Sequence, residues 1–166
     1  MKERFFTCID ALVKADTKPD LNSSSSPPDA HCIPGFSIMA LCCLLVETLQ
    51  GFRTGVSPNT KGLFIKFLRR PAFGAAFAED NIAECFVNGI RHGILHEAET
   101  RKWVIWRETP NQIAEPLNDG YVLNRTLFYE AVKREFESYL KELTDPGSLE
   151  PRQKFKEEMN RICETA

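Results

Sequence analysis

A chain of 166 residues, 43% of them apolar, can bury a core without disulfide or metal staples, and one domain over 1–166 is expected. Its 21 basic and 23 acidic residues leave a formal net charge of −2, which argues against a protein that coats nucleic acid non-specifically and leaves room only for a local basic site. Six cysteines without a CxxC pair, and no charged-then-apolar leader with a cleavage site, predict reduced thiols and a cytoplasmic location.

Phe5, Phe6, Ile9, Leu12 and Val13 recur at helical spacing and predict a first helix over 2–15. Residues 16–30 are polar, low in complexity and rich in Ser and Pro. They cannot bury enough surface to offset ordering, so a flexible loop is expected there, a tolerated insertion in preference to a lid. Pro34 suits the first turn of a second helix reaching Gln50 or Phe52, with Gly51 and Gly55 ending it. That segment is apolar nearly all round, as a central buried helix must be. Within it Cys42 and Cys43 act as small hydrophobes. The wholly apolar run Ile38 to Val46 is nine residues, too few to cross a bilayer as a helix, so no membrane partner is expected.

Lys61 to Arg70 predicts a short helix with Leu63, Phe64, Phe67 and Leu68 inward and Lys61, Lys66, Arg69 and Arg70 outward. Pro71 and Gly74 then break the chain. A long helix follows, from Glu79-Asp80, where an aspartate can cap free N–H groups, to about Thr100, a span of roughly 30 Å. Lys102 to Arg107 is β-branched and aromatic; with Tyr121-Val122-Leu123 it predicts a small β-hairpin or extended arm. Asn124 or Thr126 caps the next helix, to about Leu143, with Phe128, Ala131, Val132, Phe136, Tyr139, Leu140 and Leu143 as its inward stripe. After an Asp145-Pro-Gly turn, Ser148 opens a last helix whose seam is Phe155, Met159 and Ile162. The expectation is an all-α, up-and-down bundle of four to five helices with a small β-hairpin insertion.

The long helix holds two of the three histidines. With steps of about 100° per residue, Ile82, Phe86, Gly89, Ile90, Gly93 and Ile94 form the core arc. Glu84, Asn88, Arg91, His92, Leu95, His96 and Glu99 form the opposite one, with Arg91 and His96 about 140° apart around Leu95. An apolar Leu95 on a polar face suggests a cover such as a second copy of the chain. Gly93 costs about 1 kcal/mol relative to alanine inside a helix. Close approach of another backbone, a bend that brings Arg91 and His96 together, or tight helix packing across Gly89 and Gly93 are the returns to look for.

No Gly-rich phosphate loop, nucleophile elbow or zinc-spaced Cys/His cluster is present in the sequence. Arg91-His-Gly-Ile-Leu-His96, with a polar residue after the arginine, resembles the R-x(4–6)-H signature of the HEPN superfamily, small helical bundles that include many RNases. The resemblance covers six residues closely and the architecture loosely; the Ser/Pro loop and the β insertion depart from it. It implies a metal-independent endoribonuclease without cofactor, working as a homodimer whose two arginine–histidine pairs share one cleft. A toxin–antitoxin or phage-defence setting, with RNA as substrate and a cognate antitoxin protein as partner, is the expectation that goes with it.

The residue types suit that chemistry. His96 can move a proton near neutrality, Arg91 can hold phosphate oxygens, and His92 can orient the phosphate or act as the acid. Asn88 and Glu99 would support them. The expected product is a 2′,3′-cyclic phosphate. Lys66, Arg69, Arg70, Arg101 and Lys102, with Lys61 and Arg107, are the candidate RNA contacts. Trp103 or Trp106 can stack a base, and their odd spacing leaves at most one free. Against this stands a plainer reading: Arg91 paired with Glu84 or Glu99 on the helix surface, His96 satisfied by a carbonyl, the basic residues merely solvated. Two rival functions remain, a catalytically inactive HEPN-like module that binds a protein or nucleotide, and a metalloprotein using His92, His96 and Glu99 with His31 as a further ligand.

Overall fold

The computed structural model describes residues 2–16, 34–55 and 61–164. The chain is mostly helical, with the other helices arranged around one central helix and a small sheet inserted late. The expected loop at 16–30 falls almost wholly outside the described residues, as does His31.

The central element is α2, Gly35–Thr54. Ile38, Met39, Cys42, Cys43, Leu45, Val46 and Leu49 are all fully buried, so nearly every turn offers apolar atoms in several directions. It packs against α1 (Thr7–Asp16), α3 (Lys61–Leu68), α5 (Arg125–Thr144) and α6 (Leu149–Glu164). Gly55, at φ 68°, closes it: its N–H donates to Gly51 O at 2.9 Å, in a left-handed conformation that suits glycine. At 20 residues α2 is long and apolar enough to cross a membrane; here 61% of its apolar window is buried inside the bundle, with Phe36 and Leu44 left exposed.

Before α1 the chain makes one wide turn, Lys2–Phe6. After α3, a short 3₁₀ turn Pro71–Phe73 leads to α4, Asp80–Phe86. The sequence places a capping aspartate there. Asp80 is instead the first helical residue, no side chain caps the turn, and its carboxylate pairs with Arg69. Aromatic rings fill the space between α3, α4 and α5. Phe86 stacks on Phe128 with centroids 5.1 Å apart, and meets Phe77 and Trp103 edge-on.

The β insertion differs from the expected hairpin. Three strands form a mixed sheet in the order β1-β3-β2. β1 (Trp103–Trp106) lies parallel to β3 (Gly120–Asn124), and the hairpin is made by β3 with β2 (Ala114–Leu117). β2 holds Glu115 and Pro116, both poor strand formers, which is why its sequence gives no strand signal.

Asn124 caps α5, its Oδ1 accepting from Leu127 N at 3.0 Å while its Nδ2 donates to Pro110 O at 2.7 Å. The α5 stripe from Phe128 to Tyr139 is buried, but Leu140 is 37% exposed, at the margin of the stripe. On α6 only Phe155 of the expected seam packs inward, stacking on Phe52 at 5.1 Å; Met159 and Ile162 remain exposed.

Candidate active site

The helix that begins as α4 does not continue as an α-helix. From Val87 to Glu97 it is an 11-residue π-helix with the wider i→i+5 hydrogen-bond pattern, which favours functional sites where it occurs. Its two glycines are closely packed. A Cβ at Gly89 would come within 2.6 Å of the Trp103 ring, and one at Gly93 would collide with Glu99 O. The chain leaves the helix through Ala98, at φ 57°, and turns back along it, with Glu99 N donating to Gly93 O at 3.2 Å. The close backbone approach expected at Gly93 is therefore made by the chain's own return. The 140° separation of Arg91 and His96 assumes 3.6 residues per turn and does not describe this wider helix.

Arg91 is not spread over open solvent. Its Nε donates to Glu47 Oε1 at 2.6 Å, and the two side chains are 17% and 19% exposed. Neither Glu84 nor Glu99, the partners considered from sequence, takes this role: Glu84 accepts from Lys61 and Glu99 lies 3.6 Å from Arg101. Glu47 was missed because it lies 44 residues away on the apolar central helix. The signal that could have found it is its isolation, as the one carboxylate of α2. Buried Cys43 lies beneath the pair: burial pushes its thiol well up, Glu47 adds to this and Arg91 opposes it.

His92 and His96 are both exposed, one helical turn apart, with ring centroids 4.8 Å apart and planes tilted by 43°. Leu95 between them is half-buried, packed against the core. Among the described residues no hydrogen bond or ion pair joins either ring to Arg91. Next in line is Glu97. Its carboxyl is held below the usual range, chiefly by the hydrogen bond from Arg101, with His92 contributing through its charge.

Beside this ridge lies a groove of about 400 Å³ lined by Asn81, Glu84, Cys85, Asn88, Gly89, Arg101 and Lys102. It unites expected second-rank residue Asn88 with expected RNA contacts Arg101 and Lys102. The other basic candidates are placed elsewhere. Lys66 is exposed on α3, and Arg69 is paired with Asp80. Arg70 is committed to the bundle: it pairs with the buried Glu135, which also accepts from Ala72 N at 3.2 Å and lies 3.7 Å from Arg53. Of the tryptophans, Trp103 is buried with its Nε1 donating to Cys85 O at 3.1 Å, whereas Trp106 is 48% exposed.

Among the described residues no group of three or more His, Cys, Asp or Glu side chains is placed to hold a metal ion. Comparison of the chain with protein-family profiles, with curated proteins and with solved structures finds no significant match.

Proposed function

We propose that the protein is a metal-independent endoribonuclease of HEPN type that cleaves RNA through its own 2′-hydroxyl. The observation that carries this reading is the pair of exposed imidazoles, His92 and His96, 4.8 Å apart on the π-helix that also bears Arg91. Imidazole is the side chain suited to both taking and giving a proton near neutrality, and two of them side by side supply a base and an acid.

The step is an in-line transfer. His96 takes the 2′-hydroxyl proton, the 2′-oxygen forms a bond to phosphorus, and the bond from phosphorus to the 5′-oxygen breaks. His92 gives that oxygen a proton, leaving a 2′,3′-cyclic phosphate and a 5′-hydroxyl. Arg91 meets the negative charge that builds on the phosphorane. Glu47 holds its Nε, and the two Nη groups, which make no hydrogen bond to any described residue, are left to grip two phosphate oxygens. A second copy of the chain is proposed to cover the face of α2 that carries the exposed Leu44, one turn before Glu47.

One observation favours a second reading. Arg91 is already held by Glu47 at 2.6 Å, and an arginine committed to a carboxylate of its own chain suits a catalytically silent module that binds a protein or nucleotide.

The deciding experiment is incubation of purified protein with end-labelled RNA in the presence of a chelator, with products identified by mass spectrometry. Cyclic-phosphate ends that disappear in Arg91→Ala and in His96→Ala, taken separately, support the nuclease. Cleavage that survives both substitutions overturns it, and no cleavage by wild type at all leaves the silent module. A strictly monomeric wild-type protein would remove the shared cleft from the proposal.

A further inference from the structure

The groove beside the histidines has a division of labour among its polar groups. Glu84 already accepts from Lys61 at 2.9 Å. Arg101 is gripped by Glu97, its Nε donating to Oε2 at 2.9 Å and its Nη2 to Oε1 at 2.5 Å. The Asn88 carboxamide and the Lys102 ammonium, both exposed and both lining the groove, make no hydrogen bond or ion pair to any described residue, and Asn81 beside them accepts at Oδ1 from Ile82 N at 2.8 Å. The groove shares Asn88 and Gly89 with the π-helix that carries the histidines. Asn88 stands one turn before His92 on that helix, and Glu97, which holds Arg101, ends it.

We infer that this groove seats the unpaired nucleotide that flanks the cleaved phosphodiester of a single-stranded RNA, with its base on Asn88 and its phosphate on Lys102. The inference rests on the ribonuclease reading above. A carboxamide presents a donor and an acceptor side by side, which is the pattern that pairs in two places with an adenine edge. A single ammonium is a point charge suited to one phosphate. The lining includes no large apolar side chain on which a peptide could anchor. A duplex does not fit the same role, because A-form RNA hides the base edges that Asn88 would read.

The test uses the full-length His96→Ala protein as a non-cleaving background and fluorescein-labelled oligonucleotides in an anisotropy titration. Adding Asn88→Ala should weaken binding of an adenine-bearing single strand about tenfold and remove its advantage over a uridine strand. Adding Lys102→Ala should weaken all single strands alike and lower the slope of log affinity against log salt by about one. Duplex RNA should compete poorly. If neither substitution changes affinity, base preference or salt slope, the groove is not the subsite, whatever wild type does to RNA. If both effects appear but wild-type protein cleaves nothing, the groove inference stands as a nucleotide-binding site and the nuclease reading falls. Circular dichroism of each variant guards against misfolding, which exposed positions such as these should not cause.

Discussion

Arg91 Nε and Glu47 Oε1 meet at 2.6 Å, tying the π-helix to the only carboxylate of the central helix. Both side chains are mostly shielded from water, so the bond has a structural role beside any catalytic one. The two roles can be separated. Arg91→Ala leaves Glu47 without its partner and should lower stability by about 1–3 kcal/mol. The double variant Arg91→Ala, Glu47→Ala should recover most of that loss in denaturant midpoint at unchanged slope, yet recover no cleavage. Recovery of cleavage by the double variant would show that Arg91 acts only as a strut.

For the histidines the expectation is the reverse, large effects on rate and small ones on stability. Both rings are exposed, so His92→Ala and His96→Ala should leave the melting temperature close to wild type. Loss of an acid or base should lower kcat by about 10²- to 10⁴-fold. With both present, the rate should rise and then fall with pH, since one imidazole must be neutral and the other protonated. Removing His92, the acid, should abolish the fall on the alkaline side and leave the acid limb. An unchanged pH profile in either variant would exclude that histidine from proton transfer.

The sequence made some of this visible and hid the rest for identifiable reasons. Apolar periodicity located α2 and α5, because each buries a broad apolar surface in the core. The outward placement of His92 and His96 followed from the same counting. The switch from α to π at Val87 was invisible, since it leaves no mark in the residue pattern, and the contacts of Trp103 and Glu99 with the two glycines come from chain beyond the helix. The partner of Arg91 was hidden by distance in sequence, and β2 by Pro116. The basic residues from Lys61 to Arg70 read as one surface group, yet Arg70, beyond the end of α3, turns toward Glu135 because a carboxylate buried to that degree needs a cation.

The π-helix itself can be probed at Gly93. A methyl group there collides with Glu99 O, which is backbone and cannot swing aside. Gly93→Ala should therefore destabilise the protein by about 1–3 kcal/mol, although alanine is the better helix former in isolation. The return strand from Glu99 must shift with it, and the environment of buried Trp103 should change in tryptophan fluorescence. A stabilised Gly93→Ala protein would mean that the return strand does not pack as described.

Tyr139 gives a prediction at the alkaline end. Its hydroxyl donates to Phe52 O at 3.1 Å, its ring lies 4.6 Å beneath the Arg53 guanidinium, and burial pushes its pKa from 10.0 up to about 12. The folded state thus holds this proton more tightly than the unfolded chain does. By linkage the associated stability is fully present below pH 10 and is lost progressively as pH rises toward 12. Tyr129, which donates to Asp10 Oδ1 at 3.0 Å, shifts in the same direction, first through burial. Lysines titrate in this range as well, so the useful quantity is the difference between wild type and Tyr139→Phe, in which their contributions largely cancel. At neutral pH the substitution should cost about 1 kcal/mol for the lost hydrogen bond. Above pH 10 the gap in unfolding free energy should close and then reverse, because the phenylalanine variant has no phenol to ionise. Parallel stability curves across that window would mean that Tyr139 ionises as easily in the folded protein as in the unfolded one.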